Sequence, residues 1–486
     1  MNLSTSRHHT LLAAALAATL LGGCAGLPAP TTPHALLNTG DAPADPTPWP
    51  DANAWDTWAD PALTQLVATA LQGQPALRQV QARLAGAQAA VDAAAAARGP
   101  QVNAAADLSD QRFTKNGLVP PPLAGNVYWN NSATVSASWE WDAFGRQRAA
   151  LAAAVGQQRA ASAEAQAAAV LLAANVATGY VSLARAVEAR DIATAALEQR
   201  QQVQALVRQR VAAGLDTSVE QRQAEGTIAQ ARVDVAAADE QIARARHALA
   251  ELSGQRPDAL NALAPRLARV RAVPLPAGLP VDLLGRRADL TAQRWRVEAA
   301  TQDVAAARAQ FYPNINLVGF AGLSSLGLDT FLRAGSLTYG IGPALRLPVF
   351  DGGRLRANLG GRKAEADAAV EAYNAALLRA LREVADEVSS LQAVERQQGA
   401  QADALAAAEA AFDLARQRYQ AGLGNFLIVL TAEANVLAQR RASLDLKARH
   451  LTAEAALSRA LGGGWRGGSP PDALAQTSPA VPKAQP

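Results

Sequence analysis

Cysteine, histidine and aromatic residues are scarce in this 486-residue chain. There is one Cys, there are five His, and Phe, Trp and Tyr together make up 5% of the residues. A single cysteine excludes any intrachain disulfide, and the scattered His8, His9, His34, His247 and His450 form no cluster with metal-ligand spacing. Zinc chemistry and a Cys–His nucleophile pair are therefore excluded. No charge sign dominates, because 45 basic and 42 acidic residues are mixed along the chain and leave a formal charge of +3. The lack of a basic patch argues against a nucleic-acid partner. No Gly-rich phosphate loop, paired acid/base constellation or nucleophile elbow is present, so neither an enzyme nor a cofactor has residues to rest on. What the chain does have is alanine, about a quarter of all residues. Alanine makes thin cores, which calls for close-packed helices.

The N-terminus reads as an address. Arg7, His8 and His9 precede an apolar run, Leu11 to Leu21, that is too short to span a bilayer and is laid out as a secretory signal peptide. The only cysteine follows in Leu21-Gly22-Gly23-Cys24, which resembles the lipobox of bacterial lipoproteins; the plainer alternative is a signal peptide with an incidental cysteine. On the lipobox reading, residues 1–23 are removed and Cys24 carries the acyl chains that hold the protein on a membrane. Ala25 follows, with no Asp to suggest inner-membrane retention, so the expected address is the outer membrane of a Gram-negative bacterium. Residues 24–60, rich in Pro, Thr and Ala up to Pro50, should run as an extended spacer.

The rest of the chain is written twice. At an offset of 208, Gly145, Arg146, Arg148 and Ala149 match Gly353, Arg354, Arg356 and Ala357, and the run Arg208-Gln209-Arg210 with Ala213-Gly214-Leu215 matches Arg416-Gln417-Arg418 with Ala421-Gly422-Leu423. Upstream the offset becomes 213, where Leu77, Val91, Pro100 and Asn103 match Leu290, Val304, Pro313 and Asn316. The copies are residues 61–254 and 289–464, separated by a linker at 255–288 and followed by a flexible tail at 465–486. Each copy predicts a helix ended by proline (Pro61 to Arg98; Asp289 to Gln310), a strand hairpin (about 101–141; about 313–350), a very long helix (145–213; 353–421) and a return helix (216–254; 425–462). At ~1.5 Å per residue the long helices reach roughly 100 Å, which requires lengthwise packing. Seams such as Ala173, Val176, Tyr180, Leu183 and Val187, or Leu430, Leu437, Leu444 and Leu451, supply it.

In the first hairpin Trp129, Ala133, Val135, Ala137, Trp139 and Trp141 alternate with Asn130, Ser132, Thr134, Ser136, Ser138 and Glu140, with Asn131 as the exception. In the second, Leu337, Tyr339, Ile341, Leu345 and Leu347 alternate with Thr338, Gly340, Gly342, Ala344 and Arg346, and Pro343 falls on the apolar side. About ten alternating residues with tryptophan at the ends fit tilted transmembrane strands. A half-buried sheet in a soluble domain alternates in the same way. Four strands cannot close a barrel and lipid tolerates no open edge, so copies of the chain must share one, and three copies give twelve strands with room for water. The expected fold is thus an α+β membrane protein, a trimeric 12-strand β-barrel continuing into a long α-helical coiled-coil tunnel.

These features together resemble the outer-membrane factor family of tripartite efflux systems, TolC-like channels, in its lipoprotein NodT-like branch. Trp58-Ala59-Asp60-Pro61-Ala62-Leu63 resembles the family's opening motif and Leu461-Gly462-Gly463-Gly464-Trp465 its closing one. The segment from Leu279 to Leu290 resembles its Leu-Pro-x-x-Leu-Leu…Arg-Arg-Pro-Asp stretch, with Ala288 in place of the usual proline. The resemblance implies a homotrimer that conducts small molecules passively out of the periplasm, opened by an inner-membrane transporter of RND type through a periplasmic adaptor. The competing class is a lipid-anchored periplasmic coiled-coil adaptor or scaffold; a lipid-anchored enzyme ranks last.

Two sets of residues stand out. Asp142 and Asp351 lie where strand becomes helix, as helix caps or as ion ligands. Arg210 and Arg418 precede the Gly214 and Gly422 turns, where basic residues offset the helix dipole and glycine supplies the left-handed cap. The resemblance also makes these turns the periplasmic tips where an adaptor docks, with Thr217 and Ser218 starting the return helix of the first copy. Because family members close the tunnel with carboxylate–Arg or carboxylate–Tyr links, Asp413 and Tyr419 are gate candidates; a solvated coiled-coil charge is the plain alternative for Asp413.

Overall fold

The computed structural model describes residues 34–37, 58–270 and 287–463; Cys24, residues 271–286 of the linker with the first part of the Leu279 to Leu290 segment, and the Gly464-Trp465 end of the closing motif lie outside them. Two compact units emerge. The first comprises Arg83–Ala161 and Gln293–Tyr373, with residues 34–36. The second holds residues 58–82, 162–270, 287–292 and 374–463, with residue 37.

The first unit is built on one antiparallel sheet in the order β1-β2-β3-β4: β1 (Gln101–Arg112), β2 (Val127–Trp141), β3 (Asn314–Leu326) and β4 (Leu337–Arg346). Register settles which residues share a face. Asn103 pairs with Ser136, Ser136 with Phe320 and Phe320 with Gly340, a row that is polar in β1 and β2 and carries Phe320 and a glycine in β3 and β4. One residue along, Ala104, Val135, Ala321 and Tyr339 form an apolar row. The apolar face read from each strand therefore extends across the whole sheet, whereas the polar face of β1 and β2 is interrupted in β3 by Val318 and Phe320. Among the described residues nothing else covers the apolar face: Val102 is 66% exposed, Val135 51%, Tyr339 77% and Ile341 82%. A sheet in a soluble domain buries such a face. Here the apolar face and the free edges of β1 and β4 are left for lipid and for further strands. Pro343 sits opposite Leu317 in β4, an edge strand, where a missing N–H costs least. Asn131, the polar exception, pairs with Ser325 and is fully buried.

The helices are α1 (Pro61–Gly73), α2 (Pro75–Ala96), α3 (Arg146–Ala212), α4 (Ser218–Leu252), α5 (Ala288–Ala309), α6 (Arg354–Gln420) and α7 (Phe426–Ala460). The single helix expected from Pro61 to Arg98 is broken at Gln74, because Pro75 lacks an N–H and forces its predecessor extended (φ −69°, ψ 119°). The break is put to use: Gln74 Nε2 donates to the carbonyls of Glu251 (2.9 Å) and Leu252 (3.1 Å) at the end of α4. In the opening motif Asp60 caps α1 through the Ala62 amide at 3.0 Å and also accepts the Tyr180 hydroxyl at 2.7 Å, while Trp58 is buried. Burial raises the Tyr180 phenol above its ordinary range, and the bond to Asp60 adds to the effect. The α3 seam from Ala173 to Val187 is buried throughout and forms the main core with Leu249, Leu444 and Leu451.

Candidate functional site: the helix-hairpin tips

Each long helix ends in a glycine turn. Gly214 has φ +70° and Gly422 φ +76°, a conformation that glycine adopts without the Cβ penalty. The amides of Leu215 and Leu423 close the turns onto the carbonyls of Arg210 (2.9 Å) and Arg418 (2.8 Å). The return helices are then capped by different residues. Thr217 forms a capping box with Glu220, its amide donating to the Glu220 carboxylate at 2.8 Å and its hydroxyl accepting from Val219 at 3.2 Å. Asn425, the matching residue of the second copy, accepts from Ile428 at 3.1 Å. Ser218 is exposed, whereas its counterpart Phe426 is buried.

The structure joins the two tips through residues drawn from both copies. Arg210 is buried (9% exposed) and grips Asp216 with both arms of its fork, at 2.9 and 3.2 Å. Its third contact is the Tyr419 carbonyl at 2.9 Å, and its guanidinium lies 4.5 Å from the centre of the Tyr419 ring. The Tyr419 hydroxyl donates to Asp216 in turn, and the tyrosine is fully buried against Phe426. Burial opposes ionisation of Asp216, but the bonds from Arg210 and Tyr419 outweigh it and hold the carboxyl below its ordinary range. Burial first, then the bond to Asp216, pushes the Tyr419 phenol upward. The Arg210 side chain is therefore turned inward, onto Asp216 and Tyr419.

The remaining tip residues lie differently. Asp413 is exposed and 3.6 Å from Arg416, a loose i,i+3 pair, so the structure does not bring it together with Tyr419. Arg418 is exposed. Around the turns the chain also exposes Leu215 (64%), Leu423 (70%) and Leu427 (62%), an apolar surface that charge-based reading overlooked. Asp216 was overlooked as well, because its repeat counterpart is Gly424 and comparison of the copies favours positions on which they agree.

At the other end of the long helices, Asp142 accepts the amides of Gln147 (3.0 Å) and Arg148 (2.8 Å), and Asp351 those of Gly353 (2.9 Å) and Leu355 (2.8 Å). Each carboxylate satisfies two amides that a helix start leaves unpaired.

Comparison with known proteins agrees with this architecture. The family model for outer membrane efflux proteins matches residues 66–255 and 279–463. The fusaric acid resistance protein FusA of Burkholderia cepacia is 39% identical over 65% of this chain, a match that spans 60% of that protein. The multidrug resistance outer membrane protein MdtP of Escherichia coli K12 is 32% identical over 93% of this chain and 95% of its own. Among solved structures, the outer membrane protein VceC of Vibrio cholerae superposes with a TM-score of 0.80 at 36% identity, covering 86% of this chain and all of that one. The outer-membrane channel OprN gives 0.80 at 30% identity, over 90% and 98% of the two chains.

Proposed function

Because this chain belongs to the outer membrane efflux protein family and is a non-enzymatic outer-membrane channel of a tripartite efflux system, we propose that three copies close a twelve-strand barrel whose resting tunnel is held shut at the α3–α4 and α6–α7 tips. The supporting observation is the four-stranded sheet with an uncovered apolar face and two free edges. Three such sheets satisfy every edge, and a closed ring is the expected symmetry. The exposed apolar residues of the tips, with Arg418, Thr217, Ser218 and the Gly214 and Gly422 turns, then receive a periplasmic adaptor that couples the channel to an inner-membrane transporter of RND type. The Arg210–Asp216–Tyr419 clasp holds the tips in the resting state, and Asp413 with Arg416 is a secondary, solvent-screened contact.

Arginine at Val135 or Ile341, both on the apolar face, should cost about 2–4 kcal/mol near mid-membrane and deplete the heat-sensitive oligomer on gels. Arginine at Ser136, on the polar row, should leave the oligomer intact and change single-channel conductance. Equal tolerance at all three positions would mean that the sheet does not cross a bilayer.

The anchor is part of the same proposal. Cys24→Ser should abolish incorporation of labelled palmitate and leave signal processing defective, while partial export activity remains because closed strands hold the membrane without acyl chains. Undiminished acyl labelling of the variant would refute lipidation at this residue.

A further inference from the structure

In the first unit, the connections β2–α3, α5–β3 and β4–α6 meet around a cavity of about 420 Å³. That is within the range of small-molecule sites. One wall is a flat aromatic pair, Phe144 and Tyr312, stacked at 4.8 Å between ring centres with 9° between planes. Arg146, Arg346 and Arg354 line the same space. Its two carboxylates are already committed. Glu140 is held by Arg146, with Nε at 3.0 Å, and Asp142 is taken up by the amides that start α3. Asp351, just before Arg354, is likewise engaged by the amides that start α6. Arg346 and Arg354 have no ion pair or side-chain hydrogen bond among the described residues. The cavity therefore combines a flat apolar wall with two forked cations that no ion pair or side-chain hydrogen bond ties down among the described residues, although Asp351 lies near enough to Arg354 to feel its charge.

We propose that this cavity binds an organic anion with a flat apolar body, an aromatic carboxylate being the simplest case. A guanidinium fork matches a carboxylate in two parallel hydrogen bonds, and the planar body offsets onto the Phe144–Tyr312 stack. Both arginines are exposed at a cavity that opens to solvent, and what sets them apart from other surface arginines is the stacked aromatic pair that lines the same space. The flat wall favours a planar carboxylate over a phospholipid headgroup, whose phosphate is tetrahedral and whose chains need a long groove. That the anion is cargo rests on the channel reading; binding itself does not.

The test uses the full-length protein in detergent, 1-naphthoate as probe and 1-naphthalenemethanol as its uncharged analogue, with binding followed by titration calorimetry. Naphthoate should bind about tenfold or more tighter than the alcohol, and Arg354→Gln or Arg346→Gln should each remove most of that preference. Tyr312→Leu should weaken both compounds, since it removes half of the stack and no charge. Equal affinity for acid and alcohol, or an unchanged preference in the Arg346→Gln/Arg354→Gln double variant, would overturn the proposal. So would co-purified phosphatidylglycerol that naphthoate fails to displace. Planar-bilayer conductance of the same preparation reports on the channel separately, so a failure of one reading is not mistaken for a failure of the other.

Discussion

Asp216→Asn is expected to raise single-channel conductance several-fold in a planar bilayer, more than any other single change at the tips. The substitution keeps the shape of the side chain and removes the charge that balances Arg210, which is buried and held by Asp216 through two bonds. Losing a charge-assisted hydrogen bond costs about 1.5–3 kcal/mol. Because the turn lies beside solvent, about 2–3 kcal/mol is a reasonable total for the clasp, enough to shift a closed–open balance roughly 30- to 150-fold. Tyr419→Phe, which removes only the hydroxyl that donates to Asp216, should act in the same direction with a smaller effect. Asp413→Asn should do little, since an exposed 3.6 Å pair contributes about 0–1 kcal/mol.

The same clasp sets a pH dependence. Asp216 titrates below its unfolded value, so its contribution is complete above the ordinary Asp pKa of ~3.9 and is lost only as pH falls through the depressed folded value. Conductance should therefore be flat from about pH 5 to 8 and rise only in stronger acid. A larger effect of Asp413→Asn than of Asp216→Asn would place the gate outside the clasp.

The second large effect is expected on stability. Arg287 is 6% exposed and binds Asp289 at 2.7 and 3.0 Å, Glu383 at 3.1 Å and the Ala460 carbonyl at 3.0 Å. It thus ties α5, α6 and the end of α7 together within the second unit. Burial opposes the charge on both Arg287 and Asp289, yet their mutual bonds outweigh it and hold Asp289 below its ordinary range. Arg287→Ala leaves two carboxylates and an α7 carbonyl without their cation, a change of about 3–5 kcal/mol for a buried pair. Arg459, 3.6 Å from Glu383, recovers a part, so the lower end of that range is expected. Denaturant unfolding or the melting temperature of the oligomer measures it. Arg287→Lys should restore charge but not the fork, giving an intermediate loss. A change below about 0.5 kcal/mol for Arg287→Ala would show the network to be incidental.

Much of this architecture is legible without coordinates because it depends on periodicity. Alternation in Trp129–Trp141, seven-residue seams in α3 and α7, and glycine at both turns are each dictated by local geometry that recurs along one chain. Repetition at fixed offset adds a second measurement of every element. The break at Gln74 was equally written in the sequence, as Pro75, and was passed over because the apolar pattern continues on either side of it.

What tertiary structure decided are contacts between residues remote in sequence. Arg210 and Tyr419 lie in different copies, 209 positions apart, and Asp216 has no repeat counterpart to draw attention to it. Likewise Phe144 and Tyr312 meet only because two chain connections converge at the end of one sheet. By itself the sequence determined the elements, their duplication and the polar and apolar faces, since those follow from the few residues on either side of each position. Which of two similar charges is clasped and buried, Arg210, and which is left in water, Arg418, depends on the neighbour that packing supplies, and desolvation makes that difference large.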